Sequence, residues 1–348
     1  MADNGHVDRS SFTIDLGAIR RNAQTLLRAA DGAELWAVVK ADGYGHGAVD
    51  VSRAALAGGA TALCVATVPE ALQLRGAHAL DAARILVMGP VGEDELVQTR
   101  DAGLELVAAG EPVPEGIPLH LKIDTGMGRW GLSELGRPGR NVVGLMSHLA
   151  AADSDADFTR IQIDRFREAT AGLDNALVRH LANSAGTLRY PGAAFDAVRC
   201  GIALYGISPF GADPSLDALE PALRWESYLA LVKQLAPGES TGYGRRFVAE
   251  RSTWIGIVPV GYADGFRRDM TGTEVLIDGE RQRVVGTVSM DSLAIELDRE
   301  LPAGTPVTLI GRGILIEDHA RIAGTIGYEI ATGLETSSAR ARRVVLDG

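Results

Sequence analysis

The chain has little of several features that would place it in a specialised class of protein. Its 348 residues include two cysteines, Cys64 and Cys200. Both fall inside apolar, strand-like segments, which indicates reduced core residues of a cytosolic protein and no disulfide framework. No apolar run approaches the ~20 residues that cross a bilayer, and the first six residues lack the basic start and apolar stretch of a secretion signal. We therefore expect a cytoplasmic protein that does not bind a membrane.

Positive charge is outnumbered by negative charge, with 34 Lys and Arg against 45 Asp and Glu. The net charge is −11, and the densest basic cluster is the brief segment 340–343. Nucleic-acid binding needs a basic patch, so we expect no nucleic-acid partner. We also expect no structural metal, because several histidines show no metal-ligand spacing with cysteine or acidic residues. These are His6, His46, His78, His120 and His319.

What the chain does contain is the composition of an ordinary globular protein, with 46% hydrophobic and 23% charged residues. Its length exceeds the size at which a single core stops growing, so two domains are expected. We find no low-complexity linker between the halves and no repeat beyond a βα alternation.

Short apolar runs alternate with helical stretches through the first two hundred residues. Such alternation predicts parallel βαβ units, and eight of them close a (β/α)8 barrel. A helix is predicted at Asp15–Ala29, and Phe12–Ile14 before it is expected to pair elsewhere. The connections Ala109–Gly116 and Ser133–Arg140 contain prolines, so neither can host a full crossover helix. The predicted barrel strands are Leu35–Val39, Leu63–Ala66, Ile85–Met88, Leu104–Val107, Leu119–Ile123, Val142–Ser147, Leu177–Leu181 and Ala197–Ile202.

After about Trp225 the pattern changes to strands separated by Gly, Pro and Asp turns, with one short helix around Ile316–Ala323. The sequence therefore predicts an α/β fold. An N-terminal barrel over residues 1–226 precedes a C-terminal, mainly antiparallel β domain over residues 227–348. The strands predicted in the second domain are Tyr228–Lys233, Ser252–Pro259, Glu274–Ile277, Val284–Val288, Ala294–Leu297 and Pro306–Ile310.

One stretch, Trp36–Gly47, brings a lysine to the end of a strand that is hydrophobic on both faces. Lys40 is predicted as the last residue of that strand. The glycines at every second position from Gly43 permit positive φ, and a helix beginning near Ala48 would present free N–H groups nearby. The spacing differs from the Gly-x-Gly-x-x-Gly of a dinucleotide loop. A solvated surface lysine is the plainer alternative.

Barrel active sites are built from the C-terminal ends of the strands. Each polar residue found there could be merely structural, as strand-end histidines often are. Their convergence on one mouth is harder to explain in that way. The loops after the seventh and eighth strands commonly bind phosphate, and Ser184 with the Gly201 and Ile202 amides would supply donors. The polar strand-end residues are Lys40, Tyr44, Lys122, Asp124, Arg129, Ser147, His148, His180 and Arg199.

A lysine that faces a phosphate site suggests a Schiff base to a phosphorylated aldehyde, which is how pyridoxal phosphate (PLP) is held. Arg199 would be an unusual neighbour for that cofactor. A permanently charged arginine against the pyridine nitrogen would keep the nitrogen unprotonated and limit carbanion delocalisation. This arrangement favours simple proton exchange over transamination.

Six stretches together resemble the PLP-dependent alanine racemases, over nearly the whole chain. The resemblance implies a PLP barrel and a β domain assembled as a head-to-tail homodimer with shared active sites. It implies interconversion of L-alanine and D-alanine, which supplies D-alanine for peptidoglycan. The stretches are Ala37–Gly47, Leu121–Arg129, His180–Ser184, Arg199–Gly206, Val260–Gly265 and Val288–Asp291.

The resemblance also implies roles for single residues. Lys40 would hold PLP and act as the base on the D side, and the partner subunit's Tyr262 would be the base on the L side. His148 would belong to the cofactor-binding set and would hydrogen-bond Tyr262 or lie near it, and His180 would orient Arg199. The phosphate would be held by Tyr44, Ser184, Gly201, Ile202 and Tyr328.

For the substrate, the resemblance implies that Arg129 and the Met290 amide bind the carboxylate and that Asp291 lies in the same pocket. Lys122 matches the lysine that is often carbamylated in this family and positions the arginine. A tyrosine with a pKa near ~10 is a poor base at neutral pH, so Tyr262 needs positive charge nearby. A chain from Tyr262 through His148 and Arg199 to His180 would supply it.

Three alternatives stay open at this point. A serine or broad-specificity racemase depends on pocket side chains such as Tyr243 and Ser289. A non-catalytic PLP carrier is a single domain, so the β domain argues against it. A decarboxylase of the same architecture pairs the pyridine nitrogen with an acid, where this chain has Arg199.

Overall fold

The computed structural model describes residues 8–110 and 115–348. The chain divides into two compact units. One comprises residues 17–210 and 214–220, and the other comprises the described residues up to Leu16, Gly211–Asp213 and Pro221–Gly348. Within the described ranges, no helix is both long enough and apolar enough to cross a membrane.

The first unit contains a closed barrel of parallel strands, which confirms the predicted barrel and all eight of its strands. Each strand pairs with the next, and the last pairs with the first through Glu34↔Ala197 to Ala37↔Cys200. The strands are β2 (Glu34–Val38), β3 (Ala62–Val65), β4 (Ile85–Val87), β5 (Glu105–Ala108), β6 (Leu119–Lys122), β7 (Val142–Met146), β8 (Val178–His180) and β9 (Ala197–Cys200).

The helices of this unit follow the apolar periodicity of the sequence between strands. The first, Leu16–Ala30, covers the predicted Asp15–Ala29 helix. Short 3-10 turns supplement them at His78–Leu80, Glu93–Glu95, Pro191–Ala193, Ile202–Tyr205 and Pro214–Asp217. The remaining α-helices are Ala48–Ala57, Val68–Arg75, Leu96–Asp101, Ala156–Thr170 and Ser184–Arg189.

Two crossovers are reduced, as the prolines predict. No helix lies between the end of β6 at Lys122 and the start of β7 at Val142. Between β5 and β6 the described residues, 109–110 and 115–118, are also non-helical, while Pro112 and Pro114 fall outside the described residues. The barrel therefore closes without a crossover helix at Ser133–Arg140.

The second unit is built on a mainly antiparallel sheet, also as predicted. The strands are β1 (Ser11–Asp15), β10 (Leu223–Tyr228), β11 (Leu231–Leu235), β14 (Thr253–Val258), β15 (Glu274–Ile277), β16 (Glu280–Val285), β17 (Leu293–Leu297), β18 (Pro306–Ile310) and β19 (Arg342–Leu346), with a separate hairpin of β12 (Ser240–Thr241) and β13 (Phe247–Val248). Their order in the sheet is β11-β14-β17-β16-β15-β18-β10-β1-β19, and within this sheet only the β1–β19 pair of described strands is parallel.

The N-terminal strand belongs to this sheet and not to the barrel. Phe12 in β1 pairs with Trp225 in β10, and the two rings stack with centroids 5.1 Å apart. The expected pairing of Phe12–Ile14 outside the barrel is thus confirmed. It also places β1 and β10, parts of the expected 1–226 range, in the second unit.

Several details of this unit differ from the predictions. The expected strand Tyr228–Lys233 is interrupted, because the Leu229 N–H turns to the Thr305 carbonyl and the Ala230 N–H to the Ile257 carbonyl. β16 lies earlier than the predicted Val284–Val288, since the Asp278-Gly279 turn starts its hairpin directly. A helix at Gly327–Thr332 and the strand β19 were not predicted.

The two cysteines are buried in β3 and β9, as expected. Burial raises the pKa of each thiol to about 12. Both cysteines are therefore neutral and behave as small apolar groups.

Candidate active site

Lys40 does not end a strand; it begins a tight turn. β2 stops at Val38, and the five residues Ala41–Gly45 all have positive φ. The Gly45 N–H closes this left-handed turn on the Ala41 carbonyl. The predicted positive φ at Gly43, Gly45 and Gly47 is confirmed. The additional left-handed residues, Ala41, Asp42 and Tyr44, are the uncommon ones, because a Cβ disfavours this region.

Two carboxylates stabilise the turn. Glu70 accepts a hydrogen bond from the Ala41 N–H at 2.7 Å, and Asp42 accepts one from the Ala48 N–H at 2.8 Å. The first N–H of the following helix is therefore occupied by Asp42 and is not one of the free N–H groups expected at the start of that helix.

The Lys40 amine is half-buried, and its pKa is lowered. Burial is the largest cause and the positive charge of Arg129 adds to it, while Glu70 acts in the opposite direction. A lowered pKa raises the fraction of neutral amine, which is the form that reacts with a carbonyl carbon or accepts a proton.

Arg199 in β9 is 2% exposed, and its partners are neutral. Nη1 donates to His180 Nδ1 at 2.8 Å and to the His180 carbonyl at 2.9 Å. Nη2 donates to the Ser147 and Leu181 carbonyls and lies 3.2 Å from His148 Nδ1. Burial lowers the pKa of the guanidinium to about 10, which still leaves it charged at neutral pH. A buried, oriented cation is thus present among the strand ends.

The two histidines beside Arg199 are kept neutral. The pKa of His180 is held well below its usual range by burial and by Arg199. The pKa of His148 is lowered for the same reasons, and Lys122 adds to the effect. Of the expected chain, the structure therefore joins His148, Arg199 and His180.

Ser184 and Gly201 meet where the phosphate site was expected. Ser184 Oγ accepts hydrogen bonds from the Gly201 N–H at 3.1 Å and the Ala203 N–H at 3.3 Å. The Gly201 amide is therefore used within the chain, which corrects its expected role as an open donor. A Cβ at Gly201 would lie 2.5 Å from the Tyr44 hydroxyl oxygen, so glycine makes room for Tyr44 there.

A compact loop after β6 carries Arg129. Asp124 accepts hydrogen bonds from the Gly126, Met127 and Gly128 N–H groups, and this fixes the turn. The exposed Arg129 guanidinium lies 5.1 Å from the centre of the Trp130 ring. Trp130 was not identified from the sequence. Its ring would restrict the arginine through a cation–π contact.

Lys122, at the end of β6, is 4% exposed and lies 5.9 Å from the centre of the same Trp130 ring. Its pKa is lowered to about 8, chiefly by burial and then by Arg129 and Arg199. A substantial fraction of its amine is neutral at mildly alkaline pH. This amine could react with carbon dioxide, as a carbamylated lysine requires.

In the second unit, Tyr262 and Met290 lie on two turns that touch each other. The Tyr262 N–H donates to the Ser289 carbonyl and the Ala263 N–H to the Met290 carbonyl, both at 3.0 Å. A Cβ at Gly261 would lie 2.2 Å from the Ser289 oxygen, so only glycine permits this approach. Both side chains are exposed, Tyr262 by 41% and Met290 by 52%.

Arg340 links the same two turns. Its Nε donates to Asp264 at 2.8 Å, and its Nη2 donates to Asp291 at 2.9 Å. Asp264 also accepts from the Gly261 N–H, and the hydrogen bond from Arg340 contributes most to lowering the pKa of Asp291. Asp291, expected in the substrate pocket, is therefore tied to the turn that carries Tyr262.

The structure brings the strand-end residues together in the barrel unit, and it places Tyr262, Met290, Asp291 and Tyr328 in the other. Tyr328 lies on the unpredicted helix Gly327–Thr332. Within the described residues, no group of three or more His, Cys, Asp or Glu side chains could hold a metal ion.

Two residues in the barrel interior, His120 and Glu105, were not predicted as part of the site. His120 is hydrogen-bonded to His180, the partner of Arg199, and Glu105 is hydrogen-bonded to His120. A signal was present, because His120 and Lys122 are two apart on one strand and must share a face.

The parallel barrel carries a lysine amine, a buried arginine and a hydroxyl–amide cluster at its strand ends, and a mainly antiparallel β unit follows it in the sequence. These features define a class of two-domain, lysine-centred barrel proteins. Residues 14–209 match the family model for the alanine racemase N-terminal domain, and residues 222–345 match that for the alanine racemase C-terminal domain. The chain belongs to the alanine racemase family, whose members are isomerases.

Individual relatives agree. The chain is 40% identical to alanine racemase of Lactiplantibacillus plantarum, covering 99% of each protein. The solved structure of alanine racemase from Streptomyces coelicolor superposes with a TM-score of 0.90 at 37% identity, covering 99% of this chain and all of that one. The structure from Bartonella henselae, with covalently bound pyridoxal phosphate, gives 0.86 at 27% identity, over 97% of this chain and 99% of that one.

Proposed function

We propose that the protein interconverts L-alanine and D-alanine with PLP as cofactor. The observation that carries this proposal is the buried Arg199, whose partners are all neutral. A fixed arginine cannot hand a proton to a ring nitrogen, so it suits a reaction in which a proton is exchanged and nothing else is transferred.

The residues at the strand ends fit PLP. Lys40 supplies an amine with a lowered pKa, and the Tyr44 hydroxyl and Ser184 meet around the bare backbone of Gly201. Ile202 and Tyr328 complete the set proposed to hold the phosphate. PLP, when bound, supplies the electron-withdrawing ring that makes the α-proton of alanine removable.

Two bases on opposite faces of the bound substrate would then move the proton. Lys40 Nζ takes or returns it on the D side, and Tyr262 Oη of the partner subunit does so on the L side. Each base contributes roughly 10² to 10⁴ in rate. The exposure of Tyr262 within its own unit suits a residue that completes a site in a second subunit, so we propose a homodimer with shared active sites.

The substrate carboxylate would be bound by the Arg129 guanidinium and the Met290 amide, with Asp291 nearby. Lys122, carbamylated and therefore negatively charged, would hold Arg129 in position. His148 would connect Tyr262 to Arg199, and His180 would orient Arg199. In the cell we propose a cytoplasmic enzyme that supplies D-alanine for peptidoglycan.

Chiral analysis of alanine tests the activity. The purified, PLP-supplied protein is incubated with L-alanine in heavy water. We expect D-alanine that carries deuterium at Cα, at a rate well above that with L-serine. Return of unlabelled L-alanine from protein that still holds PLP would refute the proposal and favour a non-catalytic carrier.

The lysine content allows a clean test of cofactor attachment. The sequence holds three lysines, Lys40, Lys122 and Lys233. Reduction with borohydride fixes PLP to its lysine, and peptide mapping then locates it. We expect the label on Lys40 alone, unchanged in Lys233→Arg and lost in Lys40→Arg. Label on Lys122 or Lys233 would contradict the assignment.

A further inference from the structure

We propose that Glu105 and His120 are positioning residues, which hold His180 in the one neutral tautomer that can accept a hydrogen bond from Arg199. This tautomer is a property of the polypeptide without any ligand. Only its effect on turnover rests on the proposed function.

A continuous hydrogen-bonded chain runs through the barrel interior. Arg199 Nη1 lies 2.8 Å from His180 Nδ1, and His180 Nε2 lies 2.8 Å from His120 Nδ1. His120 Nε2 lies 2.7 Å from Glu105 Oε2, and the other oxygen of Glu105 accepts from Arg84 Nε at 2.6 Å. Both histidines are fully buried, and the Glu105 side chain is 15% exposed.

The two ends of this chain determine where its protons lie. An ionised carboxylate only accepts, so His120 must carry its proton on Nε2 and leave Nδ1 as an acceptor. His180 must then donate from Nε2, which leaves its own Nδ1 free to accept. Arg199 only donates, and Nδ1 of His180 is the atom it faces. Working inward from either end gives the same two tautomers.

The charges around these hydrogen-bonded residues support the two deduced tautomers. Burial opposes ionisation of Glu105, but hydrogen bonds from His120 and Arg84 outweigh it and lower the pKa of the carboxyl. Burial lowers the pKa of His120, although Glu105 acts in the opposite direction. Both imidazoles are therefore neutral beside an ionised carboxylate. A proton added to either ring would set two donors against each other.

The imidazole rings of His120 and His180 are packed too tightly to rotate. A Cβ at Gly144 would lie 2.1 Å from His120 Nδ1, so a glycine in β7 makes space for the ring. The Trp36 ring packs against His180 with centroids 4.5 Å apart and against His120 at 5.6 Å. Rotation of either imidazole would displace Trp36, which is itself fully buried. A close-packed site of this kind selects one ring orientation.

Replacement of Glu105 by glutamine should disrupt the donor-to-acceptor order of the hydrogen bonds that link Glu105 to Arg199. If the amide oxygen faces His120, the amide N–H group meets the Arg84 donor. If the amide N–H group faces His120, both histidines change tautomer and His180 presents Nδ1–H to Arg199. Either arrangement sets two donors against each other, at the partly exposed Arg84 in the first and at the buried Arg199 in the second.

The first measurement needs no variant. In protein labelled with ¹⁵N-histidine, we expect nitrogen shifts of neutral rings protonated on Nε2 for both His120 and His180 between pH 6 and 9. His319 is an internal reference, because its Nε2 faces the Leu309 carbonyl and its Nδ1 faces the Thr273 hydroxyl. An Nδ1–H tautomer or an imidazolium at His180 would overturn the proposal.

The variant pair is Glu105→Gln with Glu168→Gln as the matched control on the exposed side of a helix in the same unit. We expect the first to change the His180 shifts and to lower kcat for alanine by about 10-fold to 100-fold, as for one buried charged hydrogen bond, with KM altered less than kcat. The control should match wild type in both. Unchanged His180 shifts together with an unchanged kcat in folded Glu105→Gln would refute the proposal.

The two proposals fail separately. Wild-type protein with the expected tautomers but no racemisation would contradict the proposed function and support the positioning role of Glu105 and His120. Full racemase activity with His180 protonated on Nδ1 would overturn the positioning role alone.

Discussion

Removal of the Arg340 guanidinium should cost both stability and activity, because one side chain holds two functional turns. Arg340→Met keeps most of the aliphatic stem and deletes the donors to Asp264 and Asp291. Arg342→Met is the matched control, since the Arg342 side chain is 65% exposed and pairs with Asp8 at 3.6 Å on the surface.

The expected magnitude follows from the burial of Asp264. That carboxylate is 2% exposed and would keep the Gly261 N–H and a more distant Arg9, 3.8 Å away. A hydrogen bond to a charged group contributes about 1.5–3 kcal/mol. Because Arg340 is itself 26% exposed, we expect the lower end, about 1.5 kcal/mol. The surface pair of Arg342 should contribute less than about 0.5 kcal/mol.

Urea unfolding of the two variants and the wild type measures the difference. A lower midpoint for Arg340→Met with an unchanged slope indicates lost stability rather than an altered unfolded state. Activity should fall as well, by about tenfold, since Tyr262 and Met290 lose their shared support. Equal midpoints for the two variants would refute the reasoning, and full activity in a destabilised Arg340→Met would refute its positioning part.

Three further predictions follow from the site. Tyr262→Phe should unfold like wild type, because the side chain is 41% exposed. It should lose α-deuteration of L-alanine in heavy water, while D-alanine still exchanges its α-proton through Lys40. Exchange of both enantiomers would contradict the assignment of one base to each enantiomer. The pKa of Lys122 is about 8 in the folded chain, against an ordinary value of 10.5 for an exposed lysine. Between these pH values the unfolded chain binds more protons than the folded one, so the free energy of unfolding should rise with pH in this range. Lys122→Met should remove that rise in urea midpoints measured from pH 7.5 to 10. Gly201→Ala should push Tyr44 aside and weaken PLP retention during dialysis, whereas equal retention would argue against a phosphate site there.

The barrel could be predicted from sequence because its strands are short, apolar on both faces and separated by helices. All eight were predicted within about two residues of their observed ends. In the second unit, Glu274–Ile277, Pro306–Ile310 and the helix Ile316–Ala323 match to the residue. Local pattern was sufficient for these elements because each is a short apolar run or an amphipathic helix bounded by turn residues.

The remaining elements could not be predicted because they pair with residues far away in sequence. β1 lies between β10 and β19, which are more than 200 and 300 residues away in sequence, so no local periodicity indicates it. The candidate site shows the same limit. Lys40, Arg199 and Ser184 follow from strand ends, but the link from His180 to Glu105 crosses four strands of the barrel and joins side chains that look structural one at a time.

The turn at Lys40 shows why a functional position can escape local rules. A left-handed residue with a side chain costs roughly 1–2 kcal/mol, and Ala41, Asp42 and Tyr44 all adopt that conformation. Glycine at these positions would relieve the strain, but Asp42 could then no longer accept from Ala48, nor could Tyr44 reach Gly201. The strain is offset by Glu70 and Asp42, whose carboxylates bind backbone N–H groups on either side of the turn. Sequence propensity alone would reject such a backbone, and it persists because these side chains hold the turn that begins at Lys40.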